Sequence, residues 1–556
     1  MEKTIRKYAL QNAIRFDGKA NPGNIIGKVI GDNPKLKDKM KDVVKDIQGI
    51  VKEVNSMSVE EQTKELKKLA PELLEEKKVE KKDLKELPNA KKGKVVMRFE
   101  PSPSGALHIG HACVLNLNSE YCKRYDGKLI LRISDTNPEN IYEPVYELIP
   151  ENANWLTGNN VSEVVFQSSR LGTYYDAAEK LIDMGKAYVC RCDPEEFRKL
   201  IFKKKACKCR SNSIEENHQL YDRMFSDLKP GEAVIRIKTD IDHPNPALRD
   251  WPAMRINLHE HPKTGTEHRV WPLMNLAVAV DDHEMGVTHT IRAKDHIDNE
   301  RKQSYVFDYM GWKMPEHVYV GRINFEDMAV SSSETRKLID YKKFEGWDDI
   351  RLPFLPALKR RGYRPEAFLK YTIDGGVTQN DKTVSKEEYF KSLNHFNKEV
   401  IEPKAYRYFF IKDPVKIKVE GAQEQLVELD LHPDNKKGGR KFKTSEEFYI
   451  EKEDLKEFKD GELIRLMDCL NFIKQKNKFV FDSIDYTKFK EEGKKIIHWL
   501  PVNETIKVSL LMEDNKLVNG IAEKGVDKIK TDSVVQFERL GFCRCDSKSK
   551  FWFGHR

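Results

Sequence analysis

Long apolar runs are missing from this chain of 556 residues. No stretch approaches the roughly 20 residues that cross a bilayer, and the first residues carry lysine and glutamate instead of a secretory apolar core. The sequence therefore predicts a cytoplasmic protein with no membrane partner. Cysteine is scarce and odd in number, nine in all, which excludes a regular disulfide framework and fits a reducing compartment. A strong charge imbalance is absent as well. Against 90 Asp and Glu stand 98 Lys and Arg, and the resulting +8 is too small to argue for a nucleic-acid partner by itself. Internal repeats and low-complexity tracts are lacking, which sets aside repeat arrays. What remains is a 39% hydrophobic composition, enough for ordinary cores spread over several domains.

Against that background one stretch stands out, Arg98-Phe99-Glu100-Pro101-Ser102-Pro103-Ser104-Gly105-Ala106-Leu107-His108-Ile109-Gly110-His111. Val95 to Phe99 is short, β-branched and apolar, so it reads as a buried strand; the Pro-Ser-Pro-Ser-Gly run cannot continue it, and Leu107 to Tyr125 reads as helix. The turn thus opens a helix, whose unpaired N–H groups and dipole favour phosphate. Gly110 admits close backbone approach. His108 and His111, at i and i+3, share a face and can donate to phosphoryl oxygens as charge builds on them. Lys128 to Ile133 is the next strand, completing a βαβ unit, and the pattern returns at Thr288 to Arg292, a helix from Asn299 to Tyr309 and a strand from Val318 to Ile323.

The run from Arg98 to His111 resembles the first ATP-binding motif of class I aminoacyl-tRNA synthetases, in the form found in the glutamyl and glutaminyl branch. The resemblance extends over the full length. The opening Arg-Lys-Tyr-Ala-Leu-x-Asn-Ala is similar to the N-terminal extension of archaeal glutamyl enzymes, and the short alternating runs after residue 404, among them Val415 to Val419, Leu426 to Leu431 and Thr505 to Leu511, argue for β-barrels. The family places anticodon-reading barrels there. It implies a Rossmann-type catalytic domain that uses ATP with Mg2+, L-glutamate and tRNA(Glu), with tRNA(Gln) as a further acceptor left open, and a monomer. The expected divisions are a helical extension over 1–93, whose lysine-dense end runs from Lys77 to Lys94; a catalytic domain over 94–340, interrupted at about 187–275 by a zinc and acceptor-stem region; a helical connector over 341–403; and the barrels over 404–556.

Site residues follow from the same resemblance. ATP is expected against Pro103, Ser104, Gly105, His108, Gly110 and His111. Ser331, Ser332 and Ser333 occupy the second ATP motif, with Arg336 or Lys337 supplying its positive charge, since Ala329 and Glu334 depart from the family pattern. Arg292 stands where the family reads the side-chain carboxylate of glutamate, and a guanidinium fork suits that task. Arg98, Ser102, Asp135, Trp271 and Asn275 complete the expected amino-acid pocket. Ser134 falls where relatives carry an acid that holds the substrate ammonium, so Glu100 is the expected substitute. Trp271 and Asn275 replace a usual tyrosine and aspartate. The alternatives are a glutaminyl enzyme, against which Arg292 argues, and a catalytically weak tRNA-binding paralogue.

The cysteines add an independent motif. Cys190-Arg191-Cys192 and Cys207-Lys208-Cys209 flank a short helical basic stretch, and four thiolates so spaced can converge tetrahedrally on structural Zn2+. Cys543 and Cys545 read as strand residues, and Cys113, Cys122 and Cys469 as buried members of helical patterns.

Overall fold

The computed structural model describes residues 2–15, 18–32, 40–73 and 83–556. It divides into two units, 1–82 and 83–556. The first packs four helices, Glu2–Arg15, Gly23–Asp32, Met40–Val54 and Val59–Leu69, around Ile5, Ala9, Ile25, Val43, Ile47, Val51 and Leu66. These are the apolar stripes expected from the helical period. Of the lysine-dense stretch, Lys77, Lys81 and Lys82 lie outside the described residues.

In the second unit the strands β1 (Val96–Phe99), β2 (Lys128–Ile133) and β3 (Glu163–Phe166) precede an inserted sheet of β4 (Ala187–Cys190), β5 (Val234–Ile237), β6 (Pro252–Ile256) and β7 (Val270–Pro272), after which come β8 (His289–Ala293) and β9 (Glu316–Val320). The parallel sheet has the order β3-β2-β1-β8-β9, and the inserted sheet, β4-β5-β6-β7, is antiparallel throughout. Chain order reverses beside β1, where the strand ends open a crevice suited to a ligand. Met97, Leu129, Leu131, Ile133 and Ile291 bury the sheet against the helix Ile109–Arg124 and its neighbours. The expected strand from Val318 to Ile323 is broken: β9 stops at Val320, and Ile323–Phe325 forms a separate pair with Lys382–Val384. Gly321 allows the break, because a Cβ there would lie 2.1 Å from the carbonyl oxygen of Asn380.

Beyond residue 404 the structure is β-rich, in two seven-stranded sheets and a two-stranded ribbon. Among the described residues neither sheet is closed by a strand pair, which corrects the expectation of barrels. The edges of one are Arg407–Tyr408 and Phe410–Lys412, those of the other Gly493–Ile497 and Leu500–Pro501. Each pair of edges is almost consecutive in the chain, so a sheet curls until one segment serves both of its ends. Cys543 lies in the strand Gly541–Ser547 as expected, whereas Cys469 is buried in a turn, not a helix. No helix among the described residues is long and apolar enough to cross a membrane.

Candidate active site

The turn after β1 brings its two histidines together by backbone chemistry. His108 is the N-cap of the helix Ile109–Arg124: its Nδ1 accepts from the Gly110 N–H at 3.0 Å, while the His108 N–H donates to Nδ1 of His111 at 3.3 Å. An imidazole that accepts at Nδ1 carries its proton on Nε2 when neutral. Both rings are neutral at physiological pH. Burial, reinforced by His111, pushes His108 well below its ordinary value, and burial alone brings His111 down to about 4. The rings stack with centroids 3.8 Å apart and planes inclined at 27°, and each keeps Nε2 for its proton. Gly110 serves this arrangement by leaving room: a Cβ would sit 2.9 Å from Cε1 of His108. His108, Gly110 and His111 line a cleft of about 840 Å³ with Ala293, His296, Val320 and Arg322 from the ends of β8 and β9.

The serine segment lies against the same turn. Ser331 caps the helix Ser332–Asp340 by accepting from the Glu334 N–H, and Ser332 donates to the carbonyl of Ala106 at 3.3 Å. A Cβ on Gly105 would strike Ser332 Cβ at 2.7 Å and Trp347 at 2.5 Å, so only glycine lets the segment seat there. Pro103 accepts from the Tyr142 N–H; Ser102 and Ser333 are exposed and Ser104 is half-buried. Arg336 donates to the carbonyl of Ile141 and covers the Tyr142 ring at 4.7 Å.

Behind the crevice lies a buried ion cluster. Arg98 holds Asp282 through Nε at 3.0 Å and Nη2 at 3.2 Å; Arg132 reaches Asp282 at 2.7 Å and Glu100 at 2.8 Å; Arg292 meets Asp282 at 3.4 Å. Arg132 also lies 3.7 Å from Asp281, which accepts from Arg170 at 2.8 Å. Burial works against the Asp282 charge, but Arg98 and Arg132 outweigh it and hold the carboxyl well below the usual range. Burial and then Arg98 lower Arg292 to about 10, still charged at neutral pH. Four guanidinium groups face three carboxylates. Nε of Arg292, Nε of Arg132 and Oε1 of Glu100 are buried without a hydrogen-bond partner among the described residues.

The other expected pocket residues divide by what they touch. Ser134 donates to Gln167, whose amide donates to Asp281, so it joins the acid cluster at one remove. Asn275 accepts from Gln303, which accepts from Arg292. The carboxylate of Asp135 is taken up by Tyr146, the Ser168 N–H and the Ser168 hydroxyl, a turn-holding arrangement. Trp271 is fully buried in β7, stacked 5.1 Å from His261. Sequence reading passed over Asp281, Asp282, Arg132 and Gln303. The available signal was two adjacent aspartates directly after the apolar run Leu276 to Val280, since acids buried there demand cations.

Cys190, Cys192, Cys207 and Cys209 have sulfurs all within 4.8 Å of one another, with Cys190 to Cys207 at 3.9 Å and Cys192 to Cys209 at 3.7 Å. Four sulfurs at about 2.3 Å from one zinc define a tetrahedron with edges of about 3.8 Å. The donor set thus fits the metal.

Comparison with known proteins places this architecture. Residues 94–403 match the model of tRNA synthetases class I (E and Q), catalytic domain, and 405–491 and 496–546 match the two anti-codon binding domain models of the same class. The glutamate–tRNA ligase of Methanothermobacter thermautotrophicus is 44% identical over 561 residues, covering 100% of both chains. That of Thermococcus kodakarensis is 45% identical over 562 residues, covering 98% of this chain and 97% of the other. That of Methanocaldococcus jannaschii is 43% identical over 559, covering 100% and 99%. The chain belongs to the class I tRNA synthetases of the glutamyl and glutaminyl branch, and within them to the glutamate–tRNA ligases.

Proposed function

We propose that the ligase activates L-glutamate in this crevice. A carboxylate oxygen of glutamate attacks the α-phosphate of ATP, pyrophosphate leaves, and a terminal ribose hydroxyl of tRNA(Glu) then takes the glutamyl group. The observation that carries this residue-level reading is the unbalanced ion cluster. Four guanidinium groups and three carboxylates leave one positive charge in excess. Glutamate, with two carboxylates and one ammonium, restores neutrality, whereas glutamine leaves the excess in a partly dry site. Arg292, with Nε free, is the reader of the side-chain carboxylate. Glu100, with Oε1 free, is the partner of the substrate ammonium, the charge that Ser134 cannot supply.

The remaining roles follow from position. His108 and His111 direct Nε2–H donors at phosphoryl oxygens, where neutral donors gain strength as negative charge develops. Pro103, Ser104, Gly105 and Gly110 form the floor, and the Ser331–Ser333 segment closes on it through Ser332. Arg336 contributes positive charge to the triphosphate only by leaving Ile141 and Tyr142. ATP enters as its magnesium complex, which adds charge neutralisation. Alignment of carboxylate and phosphate supplies the rest without a covalent enzyme nucleophile. One Zn2+ on Cys190, Cys192, Cys207 and Cys209 would be structural, because four protein ligands leave no open position. Residues 341–403 serve as connector and 404–556 read the anticodon, in a cytoplasmic monomer. ATP–pyrophosphate exchange with glutamate or glutamine, with and without tRNA, tests the reading, and charging of tRNA(Gln) is read in the same experiment. Exchange driven by glutamine would overturn it.

A further inference from the structure

Arginine can only donate hydrogen bonds, and that one constraint orders a chain of amides behind the crevice. Nη1 of Arg292 donates to Oε1 of Gln303 at 2.8 Å, so the Gln303 amide nitrogen must face away from it. It donates to Oδ1 of Asn275 at 3.1 Å. Asn275 Nδ2 then donates to Oδ1 of Asn299 at 3.3 Å, and Asn299 Nδ2 reaches Nδ1 of His296 at 3.1 Å. Reversing any one amide would set carbonyl against carbonyl, NH2 against NH2 or NH2 against guanidinium, so the polarity is fixed from end to end. The final acceptor is Nδ1 of His296. Its proton therefore sits on Nε2, which has no hydrogen-bond partner among the described residues, and the ring lines the same cleft as His108 and His111.

We propose that His296 is a third donor to the nucleotide, and that Gln303, Asn275 and Asn299 are positioning residues that tie its tautomer to the amino-acid-reading guanidinium of Arg292. The inference rests on the site assignment above. It makes amino-acid recognition and nucleotide binding parts of one hydrogen-bonded unit: a carboxylate that draws Arg292 into place straightens the chain whose far end faces ATP, and binding at either end favours the other. Burial lowers the His296 imidazole below its ordinary value, with Arg292 and Arg98 adding to it, in keeping with the neutral donor required.

The test uses the full-length enzyme and ATP–pyrophosphate exchange with tRNA present, measuring KM for ATP and for glutamate separately. His296→Phe should raise the KM for ATP at least fivefold. Asn299→Leu can no longer donate to Nδ1, so nothing holds the His296 proton on Nε2, and it should raise the KM for ATP while the KM for glutamate stays within about twofold. Gln303→Met, similar in volume, should raise both. In Gln303→Met/His296→Phe the ATP effect should equal that of His296→Phe alone, because the relay then has no far end. Multiplying single effects, or an Asn299→Leu enzyme with an unchanged KM for ATP, would overturn the proposal. A wild-type enzyme that activates no glutamate overturns the underlying site assignment instead.

Discussion

Two clusters of charge-bearing side chains in the catalytic half differ in how far apart their members lie. The four thiols come from within twenty residues of chain, on either side of the helix Pro194–Phe202. The guanidinium cluster draws Arg98 and Glu100 from β1 and the turn after it, Arg132 from β2, Arg170 from the turn after β3, Asp281 and Asp282 from the helix Met274–Glu284 and Arg292 from β8. The first is a complete tetrahedral donor set for one metal ion. The second is left one charge and three hydrogen bonds short. Compactness in sequence goes with structural duty here, and dispersal goes with substrate.

The strongest way to break that contrast is to disturb the thiols. Cys207→Ser, or chelation of the metal, should unfold the region around β4 before the parallel sheet, since a structural zinc supplies on the order of 10 kcal/mol in small zinc folds. Hydrogen exchange localised to residues 187–240 would report it, and an unchanged pattern would remove the metal from the account. Next in size is Asp282→Asn. It strips the shared carboxylate from three arginines and should cost about 3–5 kcal/mol in denaturant unfolding; a neutral result would mean that the arginines find partners elsewhere.

A smaller change sharpens the substrate side. Arg292→Gln should lower the ratio of kcat/KM for glutamate over glutamine by about tenfold, equivalent to about 1.4 kcal/mol of selective binding. If the ratio holds, the carboxylate reader is Arg98. The smallest effect is one of pH. His111 titrates near 4 in the folded chain against about 6.5 unfolded, so its neutral form contributes stability fully above about 6.5, and this is lost as the pH falls from there toward 4. Exchange activity should therefore survive acidification past 6 and fall only below about 5; a half-point at 6.5 would assign the rings an ordinary, exposed environment.

Legibility followed the same division. The strand, turn and helix around His108 and His111 were readable because every signal lay within a few residues: a β-branched run, proline and glycine punctuation, then helical periodicity. The Cys-x-Cys pairs were readable for the same reason. Asp282 and Gln303 were not, because their meaning depends on which arginine the parallel sheet places opposite them. The broken edge at Gly321 escaped notice because the contact that excludes a side chain there comes from Asn380, nearly sixty residues away in the chain. The β-rich half was readable as alternating strands, but whether their ends join is decided by segments such as Arg407–Lys412 that serve two edges at once.

The pairing of β1 with β8 sets an order of events during synthesis. Met97 finds its partner His289 only after some 190 intervening residues have left the ribosome. Loops of that length close slowly, and contacts of such separation come late in folding. The thiol cluster is complete once residue 209 is out, so the inserted lobe can begin to take shape while the crevice is still half a sheet, with Arg98 and Arg132 in place and neither Asp282 nor Arg292 yet made. A nascent chain stalled between those points carries Arg98, Arg132 and Arg170 with Glu100 as the one carboxylate of the cluster already made. The crevice acquires its remaining acids, Asp281 and Asp282, only with the helix that precedes β8.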